Sequence, residues 1–154
     1  MSYIEVKNYL IDKGFKDRIT EFDKSSATVK LAAEAIGCNE NLIAKSITFK
    51  IDNRVIMIVA SGDSKIQNRK YKDEFQTKAK MLGYEETKEK VGHEVGGVCP
   101  FLVNKDVEIY LDESLKRFEK VYLACGSSNT VVGLKLDELV EIVDFVKWID
   151  VCKY

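Results

Sequence analysis

Residues 43–60 constrain the fold more than any other part of the chain. From Ile43 to Ile51 the side chains alternate, with Ile43, Lys45, Ile47, Phe49 and Ile51 on one face and Ala44, Ser46, Thr48 and Lys50 on the other, which is the period of a β-strand. Asp52-Asn53-Arg54 is turn chemistry, and Val55 to Ala60 follows as an unbroken apolar run of strand length. The segment predicts a hairpin whose second strand is buried.

Helical signals flank it. Ser2 followed by Glu5 is a capping box, and Gly14 is a stop, so a first helix is expected over about 3–13. Val29, Ala32, Ala33 and Ile36 fall at i, i+3, i+4 and i+7 behind the cap candidates Ser25, Ser26 and Thr28, and Gly37 closes that helix. A third helix is expected over about 68–82, with Tyr71, Phe75, Ala79 and Leu82 in one stripe, and a shorter one from Thr87. Strands are expected at 107–111, 121–125, 130–134 and 145–151, with a helix capped by Asp137 between the last two. Hairpins and short strands interleaved irregularly with helices predict a mixed α/β fold, with a largely antiparallel sheet flanked by helices.

At 154 residues the chain is expected to be one domain, since domains run to about 150 residues. Lys plus Arg number 24 against 25 Asp plus Glu, a net charge of -1, which disfavours a generally polybasic nucleic-acid or membrane binder. Any RNA contact must use a local patch, and no DNA partner is expected. No apolar stretch approaches the roughly 18 residues of a membrane helix, and the first ten residues lack a signal-peptide layout, so a cytoplasmic protein is expected. Cys38, Cys99, Cys125 and Cys152 are widely spaced, without a C-x-x-C pair, and read as reduced thiols. His93 is the single histidine, which rules out metal sites built on two; neither metal nor cofactor is expected.

Two features depart from an ordinary globular pattern. Lys45 stands in the apolar face of its strand, where a lysine must lose its charge, find a partner or reach a cavity. The alternative is an edge lysine that snorkels to solvent. Secondly, Gly92, Gly96, Gly97 and Pro100 crowd a stretch that is neither helix nor strand by pattern. Glycines there let a backbone approach a ligand, or let two elements cross tightly. Under the ligand reading, a side chain at Gly97 is expected to cost activity more than stability.

In order, Thr28-Val29-Lys30-Leu31-Ala32-Ala33, Ile43-Ala44-Lys45-Ser46-Ile47, Ser61-Gly62-Asp63, Gly92 through Phe101, Leu111-Asp112-Glu113-Ser114-Leu115 and Gly126-Ser127 resemble the YbaK/EbsC family. Those proteins are free-standing relatives of the editing domain inserted in bacterial prolyl-tRNA synthetases. The resemblance runs from about residue 25 to 140. It implies a partly closed sheet and a trans-editing deacylase acting on mischarged aminoacyl-tRNA, typically tRNA(Pro) carrying alanine or cysteine, with a transient complex with prolyl-tRNA synthetase as a further expectation. The lysine of the family's K-S pair maps to Lys45 as the catalytic residue. Thr28, Ser46, Gly62, Asp63, the loop Gly96-Gly97-Val98-Cys99-Pro100, Asp112, Gly126 and Ser127 map to substrate binding. Read without the resemblance, Asp112 is a helix cap and Cys99 a small buried side chain. A catalytically silent aminoacyl-RNA or protein-binding module on the same fold is the rival reading.

For RNA, the segment 65–80 holds Lys65, Arg69, Lys70, Lys72, Lys78 and Lys80 against Asp73 and Glu74. Lys65, Arg69, Lys70 and Lys72 are its candidate phosphate contacts, with Lys116, Arg117 and Lys120 as a second cluster.

Overall fold

The computed structural model describes residues 3–154. Its helices are α1 (Tyr3–Asp12), α2 (Val29–Ile36), α3 (Asn68–Phe75), α4 (Tyr84–Val91) and α5 (Leu136–Ile142). Its strands are β1 (Ile19–Glu21), β2 (Ala44–Ile51), β3 (Arg54–Ser61), β4 (Lys65–Ile66), β5 (Val107–Asp112), β6 (Lys120–Ala124), β7 (Thr130–Lys135), β8 (Lys147–Ile149) and β9 (Cys152–Lys153). Ser2, half of the expected capping box, lies outside the described residues. Among the described residues no helix is long and apolar enough to cross a membrane.

The expected hairpin is the centre of the fold. β2 and β3 pair antiparallel with Ile51 opposite Arg54, and Asp52 turns the chain at a φ of 53°, a conformation that Asp tolerates. The four-stranded sheet runs β2-β3-β5-β8, and a three-stranded sheet runs β1-β7-β6. β3–β5 and β5–β8 are parallel pairs while the other ladders are antiparallel, so the sheet system is mixed. Parallel neighbours need a crossover, and α3, α4 and the glycine loop supply it between β3 and β5. One isolated parallel bridge, Ile43 to Tyr122, joins the edge of β2 to β6.

Val55 to Ala60 of β3 are all apolar because both faces of the strand are covered. Met57 and Val59 pack with Leu111, Leu123, Val132 and Leu134, under Val6 and Leu10 of α1 and Leu139 of α5. Ile56, Ile58 and Ala60 face the other way, against Phe49, Tyr110 and Tyr71 of α3. A smaller cluster, Ala32 and Ala33 on Ile43, seats α2 beside the β2–β6 junction. Thr28 caps that helix, its hydroxyl accepting from the Leu31 amide at 3.1 Å.

The third helix is shorter than its apolar stripe predicts. Gln76 adopts a φ of 58° and ends α3, and the chain then runs extended along β2. Lys50 donates its amide to the Lys80 carbonyl at 2.9 Å, and the Leu82 amide donates to the Thr48 carbonyl at 3.2 Å. This pairing covers an edge that would otherwise expose unpaired backbone groups, while Ala79 and Leu82 still pack inward. The next helix, α4, begins at Tyr84 instead of Thr87, because the Glu86 carboxylate accepts from the Gly83 amide and sets the start there. Glu138 does the same for Lys135 ahead of α5, displacing Asp137 from the cap. The expected closing strand over 145–151 shortens to β8, and β9 follows beyond it. Between them, the Val151 amide donates to Asp112 at 2.9 Å. β1 is too short to leave a sequence signal.

Candidate active site

Beyond the Ile43–Tyr122 bridge, β2 and β6 enclose a cavity of about 390 Å³. Its walls include Ala44 to Thr48 of β2, Tyr122 to Ala124 of β6, Thr28 at the start of α2, and Gly96 and Val98 from the glycine loop. Of the predicted residues, Thr28, Lys45, Ser46, Gly96 and Val98 are therefore brought to one place. Among the described residues Lys45 is the only charged one in the lining, and none there carries a carboxylate or an imidazole.

Lys45 stands opposite Ala60 in the β2–β3 register and is half-buried. Its ammonium donates to the Ser64 carbonyl. Burial lowers its pKa below the ordinary lysine range, Cys152 and Asp63 oppose that shift, and Lys65 adds to it. The Cys152 thiol is itself pushed up to about 12 by burial and carries no charge at neutral pH, so Asp63 is the anion that Lys45 feels.

Asp63 is engaged elsewhere. Its two carboxylate oxygens accept from Arg117 at 2.7 and 3.0 Å, and the Ser61 hydroxyl donates to it at 2.7 Å. The Arg117 guanidinium, more than any other neighbour, holds the Asp63 carboxyl below the usual range. Asp112 is buried, with its carboxylate accepting from the Ser114 and Val151 amides, both at 2.9 Å. It caps the 3-10 turn Glu113–Arg117. Neither Asp63, Asp112 nor Gly62 lines the cavity. Gly62 has a packing reason of its own, since a Cβ there would lie 2.2 Å from the Glu40 carbonyl oxygen.

The glycine loop divides its residues between two spaces. Gly96 and Val98 face the cavity beside Lys45, whereas Gly97 lines a neighbouring one of about 760 Å³ with Gly126, Ser127, Lys88 and His93. Tyr84 and Val95 line both. A Cβ on Gly97 would fall 2.6 Å from the Gly126 carbonyl carbon and the Ser127 nitrogen. Backbone fills the position, so the geometry favours the tight-crossing reading of Gly97 over the expectation that substitution there costs activity more than stability.

Cys99 is fully buried, and burial raises its thiol pKa. Its Sγ lies 3.5 Å from His93 Nε2, but Nε2 also faces the Phe101 carbonyl at 2.7 Å and must carry the proton donated there. Nε2 is therefore no base for the thiol, and Cys99 is not an activated nucleophile. Pro100, buried beside it, continues the same packed turn. Ser127 shares its hydroxyl with Thr130 at 2.6 Å and Asn129 at 2.9 Å. Among the described residues no group of three or more His, Cys, Asp or Glu is placed to hold a metal ion.

Lys65, Arg69, Lys70 and Lys72 line neither cavity. Lys70 bonds Asp150 at 3.0 Å and the Cys152 carbonyl at 2.9 Å. Of the second cluster, Lys116 pairs with Glu113 and lies over Trp148, and Arg117 is taken by Asp63. Sequence reasoning missed Tyr84, Val95 and Tyr122 as cavity walls. No local pattern in the sequence marks them; in the structure Tyr84 and Val95 stand out as exposed apolar side chains, at 62% and 49%.

The sequence model of the aminoacyl-tRNA editing domain matches residues 23–142. The Bacillus subtilis protein YwhH, itself described as uncharacterized, is 48% identical over 154 residues, which are 99% of this chain and 98% of that protein. The proline–tRNA ligase of Bacillus subtilis is 27% identical over 107 residues, 69% of this chain but 18% of the ligase. Among solved structures, one described as a candidate trans-editing enzyme for prolyl tRNA synthetase is similar with a TM-score of 0.85 and 25% identity, covering 99% of this chain and 97% of that one. The family match spans the cavity strand of Lys45, the cap at Thr28, the glycine loop and Asp112, and this chain belongs to the aminoacyl-tRNA editing domain family.

Proposed function

We propose that this chain is a trans-editing deacylase that hydrolyses the ester of a mischarged aminoacyl-tRNA, with tRNA(Pro) carrying a small amino acid such as alanine or cysteine as substrate. The observation that carries this reading is the cavity wall: one ammonium, Lys45, among hydroxyl, apolar and backbone groups. An aminoacyl ester is already activated, so its cleavage needs orientation and stabilisation of developing negative charge more than a strong protein nucleophile. Lys45 supplies that charge stabilisation or anchors the terminal ribose. Thr28, Ser46, Gly96 and Val98 bound the space for the aminoacyl group.

The attacking group is water held in the cavity or, for a cysteinyl ester, the substrate's own thiol. Attack on the carbonyl carbon gives a tetrahedral oxyanion, and its collapse breaks the ester bond; the ribose oxygen takes up the proton that the attacking water or thiol gives off and leaves as a hydroxyl, with the free amino acid as the other product of the water route and a thiolactone, which water then opens, as that of the thiol route. No dedicated protein base is required for either route. Prolyl-tRNA synthetase is the source of the mischarged substrate under this reading, and the exposed cations Lys65, Arg69 and Lys72 are its proposed contacts to the tRNA backbone, Lys70 being engaged internally.

The test is release of amino acid from a panel of mischarged tRNAs, with binding of uncharged tRNA measured in parallel. Turnover on alanyl- or cysteinyl-tRNA(Pro) is the expected result. Binding without turnover on every member of the panel overturns the deacylase reading in favour of a silent binding module.

A further inference from the structure

The polar cluster behind Lys45 holds an arrangement that the cavity alone does not explain. Lys45 bonds the carbonyl of Ser64, the residue that follows Asp63, and its charge is acted on by that carboxylate, by the like charge of Lys65 and by the neutral thiol of Cys152. An ammonium beside a carboxylate ordinarily pairs with it. Here the ammonium donates to the neutral Ser64 carbonyl, and both oxygens of Asp63 are held by Arg117. An ammonium has three donors, so the bond to Ser64 leaves two for other partners.

Arg117 is fixed for this task from several sides. Its second amino group also reaches the Ser61 hydroxyl at 2.6 Å, and its Nε donates to the Ser114 carbonyl at 3.0 Å. The guanidinium lies 3.6 Å from the centre of the Tyr154 ring and 4.7 Å from that of Phe118. Ser114 in turn accepts the Ser61 amide at 3.1 Å through its hydroxyl, and the Ser64 hydroxyl donates to the Ser61 carbonyl at 2.6 Å. The turn that presents the Ser64 carbonyl to Lys45 is thus tied to the same arginine. A planar fork with fixed geometry suits this bidentate capture, and a lysine would not reproduce it.

We infer that Arg117 is a positioning residue for Lys45: by occupying both oxygens of Asp63 it prevents that carboxylate from pairing with the ammonium, and so keeps lysine N–H donors available to a ligand in the cavity. This rests on the reading of Lys45 as the group that holds the substrate ester. Without Arg117, Asp63 loses its counter-charge and turns its attraction on Lys45. The ammonium is then drawn towards the carboxylate and neutralised by it.

The experiment compares wild type, Arg117→Met and the double variant Arg117→Met/Asp63→Asn, with folding checked by circular dichroism and thermal melting. Two quantities are read: kcat on mischarged tRNA, and the pKa of Lys45 followed by NMR of ¹³C-labelled lysine side chains. In Arg117→Met, kcat is expected to fall roughly tenfold to a hundredfold, the scale of a displaced reacting group. Its Lys45 pKa is expected to rise by about one pH unit, as befits an ammonium beside an uncompensated carboxylate. In the double variant both are expected to return most of the way to wild type.

A turnover loss that the double variant does not restore, or a Lys45 pKa unmoved in Arg117→Met, overturns the inference and leaves Arg117 a purely structural residue. If Arg117→Met melts below the assay temperature, Arg117→Lys, which keeps the stem and charge but lacks the fork, carries the same expectations at smaller amplitude. Should wild type deacylate no substrate, the deacylase reading fails while the NMR arm still decides whether Arg117 holds Asp63 away from Lys45.

Discussion

The amide of Gly126 donates to the carbonyl of Gly97 at 3.1 Å, so the loop after α4 and the loop after β6 cross backbone against backbone. Nothing in that crossing can yield to a side chain, because the atoms nearest a Cβ on Gly97 are main-chain atoms of Gly126 and Ser127. Gly97→Ala is therefore expected to destabilise the protein by about 1–3 kcal/mol, the usual cost of overpacking. Chemical denaturation measures this directly. A variant with unchanged stability and reduced turnover would show instead that the position faces substrate.

Cys99 and His93 form a pair that invites a nucleophilic reading and does not support one. The thiol is buried and the imidazole nitrogen nearest it is committed to the Phe101 carbonyl. Cys99→Ala is expected to keep turnover close to wild type. Native protein treated with an alkylating reagent is expected to react first at Cys38, the half-exposed thiol, ahead of the three buried ones. Loss of turnover in a folded Cys99→Ala variant, or early labelling of Cys99, would restore the nucleophile.

Reversing Arg69 and Lys72 to Glu tests the proposed tRNA contacts without disturbing the internal bonds of Lys70. KM for the charged tRNA is expected to rise, and the dependence of log KM on log salt to flatten by about one for each phosphate no longer neutralised. Turnover at saturation should hold, since neither side chain lines a cavity. An unchanged KM and salt slope would move the RNA-facing surface elsewhere.

How far the sequence shows the fold depends on whether the controlling interactions are local. The β2–β3 hairpin was legible because alternation and turn residues are adjacent in sequence, and α2 because Thr28 and Gly37 mark its ends. Lys45 was legible as a charge in an apolar face, and the glycine loop by its composition. The length of α3 was not, because the spacing of Phe75, Ala79 and Leu82 suits a helical stripe and also suits an extended chain packed on β2. The parallel pairing of β3 with β5 leaves no local signal. Arg117 reads in sequence as one more surface cation, and only a partner 54 positions away reveals it as the holder of Asp63.

The central claim is that Lys45 holds the reacting ester, and the most direct test is single-turnover deacylation of mischarged tRNA(Pro) by Lys45→Ala beside wild type. The half-buried side chain sits at a cavity wall, and its ammonium is bonded to one carbonyl, so the fold is expected to survive the change. The rate is expected to fall by about a hundredfold or more, the cost of losing a group that stabilises charge in the transition state, with the melting temperature near that of wild type. A folded Lys45→Ala protein that deacylates at close to the wild-type rate would contradict the account.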